Sequence, residues 1–407
     1  MTPQAFSYAT IGNNGMIYVP PYGLTDSIDY MLKINPNTYK ITKIYLEVDN
    51  SNEKWMFGTV YRNYIYFLPF NESKVLVLNT DTDEVTYIPL KHNGSGKYIQ
   101  SHIYGNEIIS LPYGDWKEFD YAIHINLTTN TAEQIKIETD IKDKKRWHTC
   151  QMIDGIIYGM PRGSDLRNYF PYRIEYDCAT RNYNLFNLSS LWEDYDSQPK
   201  SNKKYTTLAK VGNKLFAPPY SENPNFDILA KYVNGHWYYE RTGIQETSRK
   251  YFTHTVARNK KVYFPPAGHD EDWAKMLVIN SNTEKWYTLD LNIGKESKKY
   301  FAGVENSQGK IYYIPRGGCV CEPEETWKSQ GDLTEVLVID TKDDSYYTID
   351  ISKFFVDNTT IEKYNNCIIV DDKIFALPYG ESETFQTMLV FDTLTEEVIK
   401  AIDLNEL

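Results

Sequence analysis

The chain reads as an all-β protein: a single closed β-propeller of eight four-stranded antiparallel blades. Three observations predict this. Eight apolar segments end in proline, at Pro20, Pro69, Pro112, Pro161, Pro219, Pro265, Pro315 and Pro378, with intervals of 49, 43, 49, 58, 46, 50 and 63 residues. A period of about 50 residues is the length of four short strands with their turns. Aromatics make up 15% of the 407 residues, 35 of them tyrosine, a type that suits a pleated, half-buried surface. Third, the same succession of parts recurs in each copy.

Each copy opens with an aromatic-led apolar strand, such as "YIQSHIY" from Tyr98. A turn such as "GNE" or "GNK" follows, then the apolar strand that ends in proline. The proline lacks an N–H for the ladder and fixes φ as the chain enters a variable loop. A third strand ends in Asp or Asn, as in "VLVLN" to Asn79, "MLVIN" to Asn280, "VLVID" to Asp340 and "MLVFD" to Asp392. These residues suit a turn because their side chains bond the backbone two residues on. Polar turns such as "TDTDE" and "SNTEK" then lead to fourth strands such as "VTYIPL" and "WYTLDL".

A lone blade leaves its faces uncovered, so neighbours around a ring supply the core. The pattern predicts one domain over residues 1–407, with blades at about 1–49, 50–92, 93–142, 143–196, 197–245, 246–294, 295–354 and 355–407. The first copy begins with its inner strand near Phe6 and the last ends with its outer strand near Leu404. Closure is therefore expected from side-chain packing between the first and last blades. Seven blades plus an irregular unit is the alternative; a solenoid would need polar capping repeats.

The order of parts resembles the kelch repeat family. The nearest copy is "KIYYIPRGG" followed by "VLVIDTKDDSYYTIDI". Kelch repeats end the second strand in Gly-Gly; here Gly317-Gly318 approaches that, and Pro-Tyr-Gly or Pro-Pro stands in most copies. The resemblance implies a propeller, an architecture that serves enzymes, adaptors and scaffolds alike.

Fourteen residues before each proline stand Phe6, Trp55, Tyr98, Trp147, Tyr205, Tyr251, Phe301 and Tyr364, all aromatic. One position earlier lie Lys54, Lys97, Arg146, Lys204, Lys250 and Lys363. In the seventh copy the turn "NSQGK" is one residue longer, which makes Lys299-Tyr300 the equivalent pair; the first copy has Ala5 instead. The start of the inner strand and the proline should share a face, with the aromatic wedged between blades. The cations are expected near the channel mouth, over rings, paired with carboxylates, or holding an anion. After the prolines stand Tyr22, Phe70, Tyr113, Arg162, Tyr220, Arg316 and Tyr379. Tyr and Arg are binding hot-spot types, and Arg forks onto carboxylate or phosphate. The candidate ligand-binding set is therefore Lys54, Lys97, Arg146, Arg162, Lys204, Lys250, Lys299, Arg316, Lys363, Tyr22, Tyr113, Tyr220 and Tyr379. The loop "RGGCVCEPEETWKSQGDLTE" and Trp116, Trp273 and Trp327 extend it as an expected aromatic platform.

No catalytic, metal or cofactor set is expected. Five cysteines form no disulfide or zinc pattern and read as thiols in a reducing compartment, Cys319 and Cys321 lying in one loop. The seven histidines include no H-E-x-x-H; His102, His148 and His254 fall on inner strands and read as hydrogen-bonded core histidines. "HDEDW" from His269 reads as a solvated acidic loop. No P-loop or G-x-S-x-G is present. A net charge of −12 argues against non-specific binding to nucleic acid or anionic membrane. No stretch reaches the roughly 18 apolar residues of a membrane span. The N-terminus shows no basic segment followed by an apolar run, so a cytoplasmic chain is expected, with a virion component as an alternative. The leading expectation is a binding or scaffold propeller for a protein or anionic ligand. A sugar- or phosphate-directed enzyme is second, and a structural part of a larger particle third.

Overall fold

A computed structural model gives the structure of the chain. It describes all residues except 1–5, 7, 24–27, 50–51, 115–118, 141–144, 164–169, 192–202, 222–224, 246–249, 268–272, 294–299, 317–332, 356–362 and 380–385, and the side chain of Ala302. The strands form eight four-stranded antiparallel sheets, each with its strands in sequence order, the fold class of an eight-bladed β-propeller. Blade two shows the plan: Trp55–Tyr61, Tyr64–Pro69, Lys74–Asn79 and Val85–Pro89. Burial follows position. The second and third strands are buried almost throughout, whereas fourth strands alternate between half-buried and exposed residues. No helix among the described residues is long and apolar enough to cross a membrane.

The recurrent aromatic does wedge between blades. Trp55 joins a cluster with Tyr18 and Met31 of the preceding blade, Trp147 one with Ile109 and Leu111, and Tyr364 one with Tyr312 and Ile314. Each keeps a polar handle inside its own blade. Trp55 Nε1 donates to the Lys74 carbonyl at 3.0 Å, Trp147 Nε1 to Tyr172 at 2.9 Å, and the Tyr364 hydroxyl to Thr387 at 3.1 Å. All three acceptors are the first residue of the third strand. Burying one such ring is worth about 2–3 kcal/mol.

The aromatic stands opposite the proline: Trp55 pairs with Pro69, Trp147 with Pro161, and Tyr364 with Pro378. In the seventh copy Tyr300 pairs with Pro315, fifteen residues on, as the longer turn requires. In the sixth the count needs correcting: Tyr251 bridges to Pro266 rather than Pro265. A bulge follows the aromatic in blades two, four, seven and eight, which turns the inner strand locally. Gly58 ends one such bulge. A Cβ there would lie 2.5 Å from Ile65 Cγ2 and 2.9 Å from Thr10 Oγ1, so only glycine lets the neighbouring strand approach.

The Asp and Asn residues that end third strands act as expected. Asn79 Oδ1 accepts the Asp81 amide, and Asn126 Oδ1 those of Thr128 and Thr129. Four residues past the Asx comes a positive φ at Tyr39, Asp83, Asn130, Arg181, Glu284, Asp344 and Glu396. Blade five uses Asn234-Gly235 instead, the two-residue hairpin signature.

The chain divides into two compact units. One comprises Tyr8–Leu208 and Leu215–Gln245; the other comprises Met1–Ser7, Ala209–Lys214 and Glu246–Leu407. In the second, the Phe6 amide donates to the Pro378 carbonyl of blade eight.

Candidate functional site

In the larger unit the residue before each wedge aromatic belongs to a backbone relay. The Lys54 amide donates to the Tyr22 carbonyl, Phe70 to Lys54, Lys97 to Phe70, and Tyr113 to Lys97. The relay continues from Arg146 to Tyr113, Arg162 to Arg146, Lys204 to Arg162 and Tyr220 to Lys204, every bond between 2.7 and 3.0 Å. Residues before the aromatics thus alternate with residues after the prolines, and each blade is stitched to the next. The smaller unit repeats the motif: Lys363 donates to Arg316, Tyr379 to Lys363, and Ala267 to Lys250. Backbone bonds explain the position of these residues and leave their charge unexplained.

The sequence expected the cations near the channel mouth, over rings, paired with carboxylates or holding an anion. Lys54, Lys97, Lys250 and Lys363 are wholly buried, Arg146 and Lys204 nearly so. The relay draws their backbone between two blades, so the side chains start inside the packed layer. Lys97 Nζ donates to the carbonyls of Asn71 at 3.0 Å and Gly94 at 2.7 Å; burial, against the pull of Glu72 and Asp49, lowers its pKa to about 8. Lys204 lies over Phe226, Lys363 over Phe355, and Arg316 over Phe301 and Tyr379. Trp273, expected in an exposed platform, is buried against Tyr251. Lys299, Cys319, Cys321, Trp116, Trp327, His269 and most of the loop after Arg316 lie outside the described residues.

The post-proline residues of blades one to three form an arc of rings. Tyr22 and Phe70 have centroids 6.2 Å apart, and Phe70 and Tyr113 6.0 Å. The Tyr22 hydroxyl is held by Glu53 at 2.7 Å, and Tyr220 is buried. In blade four the arc passes to Arg162, whose guanidinium lies 5.6 Å from the centre of the Tyr113 ring. Arg162 is only 6% exposed, yet its Nε and Nη1 have no hydrogen-bond partner among the described residues.

His148 occupies the same corner, its ring edge-on to Tyr113 at 5.4 Å and its Nδ1 2.8 Å from the Thr206 carbonyl. A carbonyl only accepts, so Nδ1 carries the proton. Burial, followed by the Arg162 charge and with a contribution from Lys145, holds the imidazole neutral, well below the ordinary histidine range. The corner thus unites Tyr113, Arg146, Arg162 and Lys204, which the sequence nominated, with His148 and Lys145, which it did not. The sequence read His148 from its place on an inner strand, as a hydrogen-bonded core histidine, and the bond to Thr206 agrees with that. The arrangement suits an anion: a desolvated guanidinium has spare donors, and the relay bonds it through the backbone to Arg146 and Lys204.

Nothing in the described residues groups three or more His, Cys, Asp or Glu as a metal would need. Cys150, Cys178 and Cys367 are buried thiols, pushed up to about 12 by burial.

No protein-family model matches the sequence, and no curated protein matches it. Solved structures do resemble it. The computationally designed Ika8 protein aligns over 95% of this chain and 96% of its own, with a TM-score of 0.59 and 10% identity. Apo AztD from Citrobacter koseri aligns over 93% of each chain, with a TM-score of 0.53 and 9% identity. At that identity the likeness concerns the fold alone.

Proposed function

We propose that this chain is a non-catalytic binding propeller that captures a carboxylate or phosphate group at the blade-four corner of its larger unit. One observation carries the reading: the Arg162 guanidinium is buried with Nε and Nη1 lacking partners. Burying a charge without partners costs several kcal/mol, and a bound anion offsets that cost with charge-assisted, forked hydrogen bonds. Arg146 and Lys204, bonded through their backbones to Arg162, add positive potential at the same place. The ligand class is a small anion or an acidic protein segment.

The test is calorimetric titration of the full chain with inorganic phosphate and, separately, with a glutamate-rich peptide. Arg162→Gln should weaken binding by about tenfold or more, since one charge-assisted pair is worth roughly 1.5–3 kcal/mol. Without ligand the same variant should be as stable as the native chain, or more stable by about 1 kcal/mol, because it removes a buried charge. Equal affinity of the variant and the native chain for both probes would refute the site.

A further inference from the structure

We propose that His148 is the proton-accepting partner of this site: an anion bound at Arg162 draws a proton onto His148, so affinity rises as the pH falls. The inference rests on the anion reading above and adds its regulation. His148 and Arg162 share one ring, Tyr113, the imidazole edge-on at 5.4 Å and the guanidinium over it at 5.6 Å. The Nδ1 proton is committed to Thr206, so a second proton must add at Nε2. In the unliganded chain that proton is opposed by burial and by charge.

The charged groups come from each element around the ring. Arg162 follows the second strand of blade four, and Lys145 and Arg146 precede its first strand. Lys203 and Lys204 lead into Thr206, the carbonyl partner from blade five, and blade three contributes the uncharged Tyr113 ring. Among the described residues, the charges that act on this histidine are those of Arg162 and Lys145. An anion that neutralises Arg162 removes the larger of these two repulsions and supplies attraction in its place. Protonation and binding therefore favour each other, and linkage makes the coupling reciprocal.

Sulfate is the probe, because its charge is constant over the histidine range. The native chain should bind sulfate about tenfold more tightly near pH 5.5 than near pH 7.5, the factor expected when the bound anion brings His148 back to the ordinary histidine range near 6.5. Binding heats in two buffers of different ionisation enthalpy should show net proton uptake. His148→Asn keeps a donor for Thr206 without a titrating group, and its affinity should change less than about twofold over that range. The imidazole resonances of His148 in the native chain give an independent readout, and sulfate should raise their midpoint. Sulfate binding with no proton uptake and no midpoint shift would overturn the role of His148 while leaving the anion site standing. Failure of sulfate to bind at any pH would overturn both.

Discussion

Arg162 shows how much depends on a single side chain that its backbone does not require. The relay needs only a backbone N–H and a carbonyl at that position, so any residue but proline would serve and the guanidinium is the part free to vary. Lys97 occupies the other kind of position in the same relay, before a wedge aromatic, and spends its charge on loop carbonyls. One relay thus carries charges that serve structure and a charge that leaves capacity for a ligand. The buried histidines make a further difference at this scale. His254 is pushed down to about 4 by burial. Its folded pKa lies below the ordinary unfolded value near 6.5, so below that value the unfolded chain binds more protons than the folded one. Stability should accordingly fall as the pH drops from about 6.5 towards 4, and His254→Leu should remove roughly 2 kcal/mol of that loss. Urea titrations across this range would reveal it; parallel curves for the two chains would contradict the assignment.

Among the elements, the turn between third and fourth strands does more than reverse the chain. The positive-φ residue reaches back to the preceding blade. Asp344 accepts from Lys261 at 2.6 Å and from the Tyr263 and Tyr287 hydroxyls, and Glu396 accepts from Lys310 at 2.9 Å and Tyr312 at 3.1 Å. Glu284 accepts from Lys214 at 2.6 Å. Lys214, Lys261 and Lys310 each open a second strand. Between blades three and four the charges are exchanged: Glu107 opens the strand, and Arg181 reaches back to it at 2.9 Å. His124 bonds the same carboxylate at 2.8 Å and the Tyr176 hydroxyl at 2.6 Å. A double-mutant cycle tests this latch. Glu107→Lys and Arg181→Asp should each destabilise, and the pair together should recover about 1–3 kcal/mol as coupling. Strict additivity would show that the two residues do not act as a latch. The Asx that starts the turn was plain in the sequence. The turn's partner across the blade junction was not, because the two residues lie between 70 and 86 positions apart and neither belongs to a local motif.

At the largest scale, a blade inside a unit shares a core with each neighbour: blade two packs with blades one and three, and blade seven with blades six and eight. In the smaller unit, Tyr312, Ile314, Val336 and Val338 of blade seven are packed with Tyr364, Ile374, Leu389 and Phe391 of blade eight. Deleting 355–407 would uncover the first set and remove Glu396 from Lys310. The truncated chain should lose its cooperative urea transition or show a clearly reduced m-value, since m follows the surface exposed on unfolding. An unchanged midpoint and slope would mean that blade eight is dispensable to its neighbours.

The sequence by itself determined the fold class, the eight repeats, the strand order, the wedge aromatic, the proline opposite it and the Asx turns. The repeats are written in a period of about 50 residues, and the other features in spacing of a few to some fifteen residues, within reach of one hairpin. Tertiary structure decided the rest. It buried the cations expected near the channel mouth, set the post-proline rings of blades one to three in contact, and placed His148 beside Arg162. Those outcomes depend on how one blade lies against the next, which no spacing within a repeat encodes. A lysine before an aromatic reads the same in every copy; whether its charge meets a carbonyl, a ring or a ligand is settled only by the neighbouring blade.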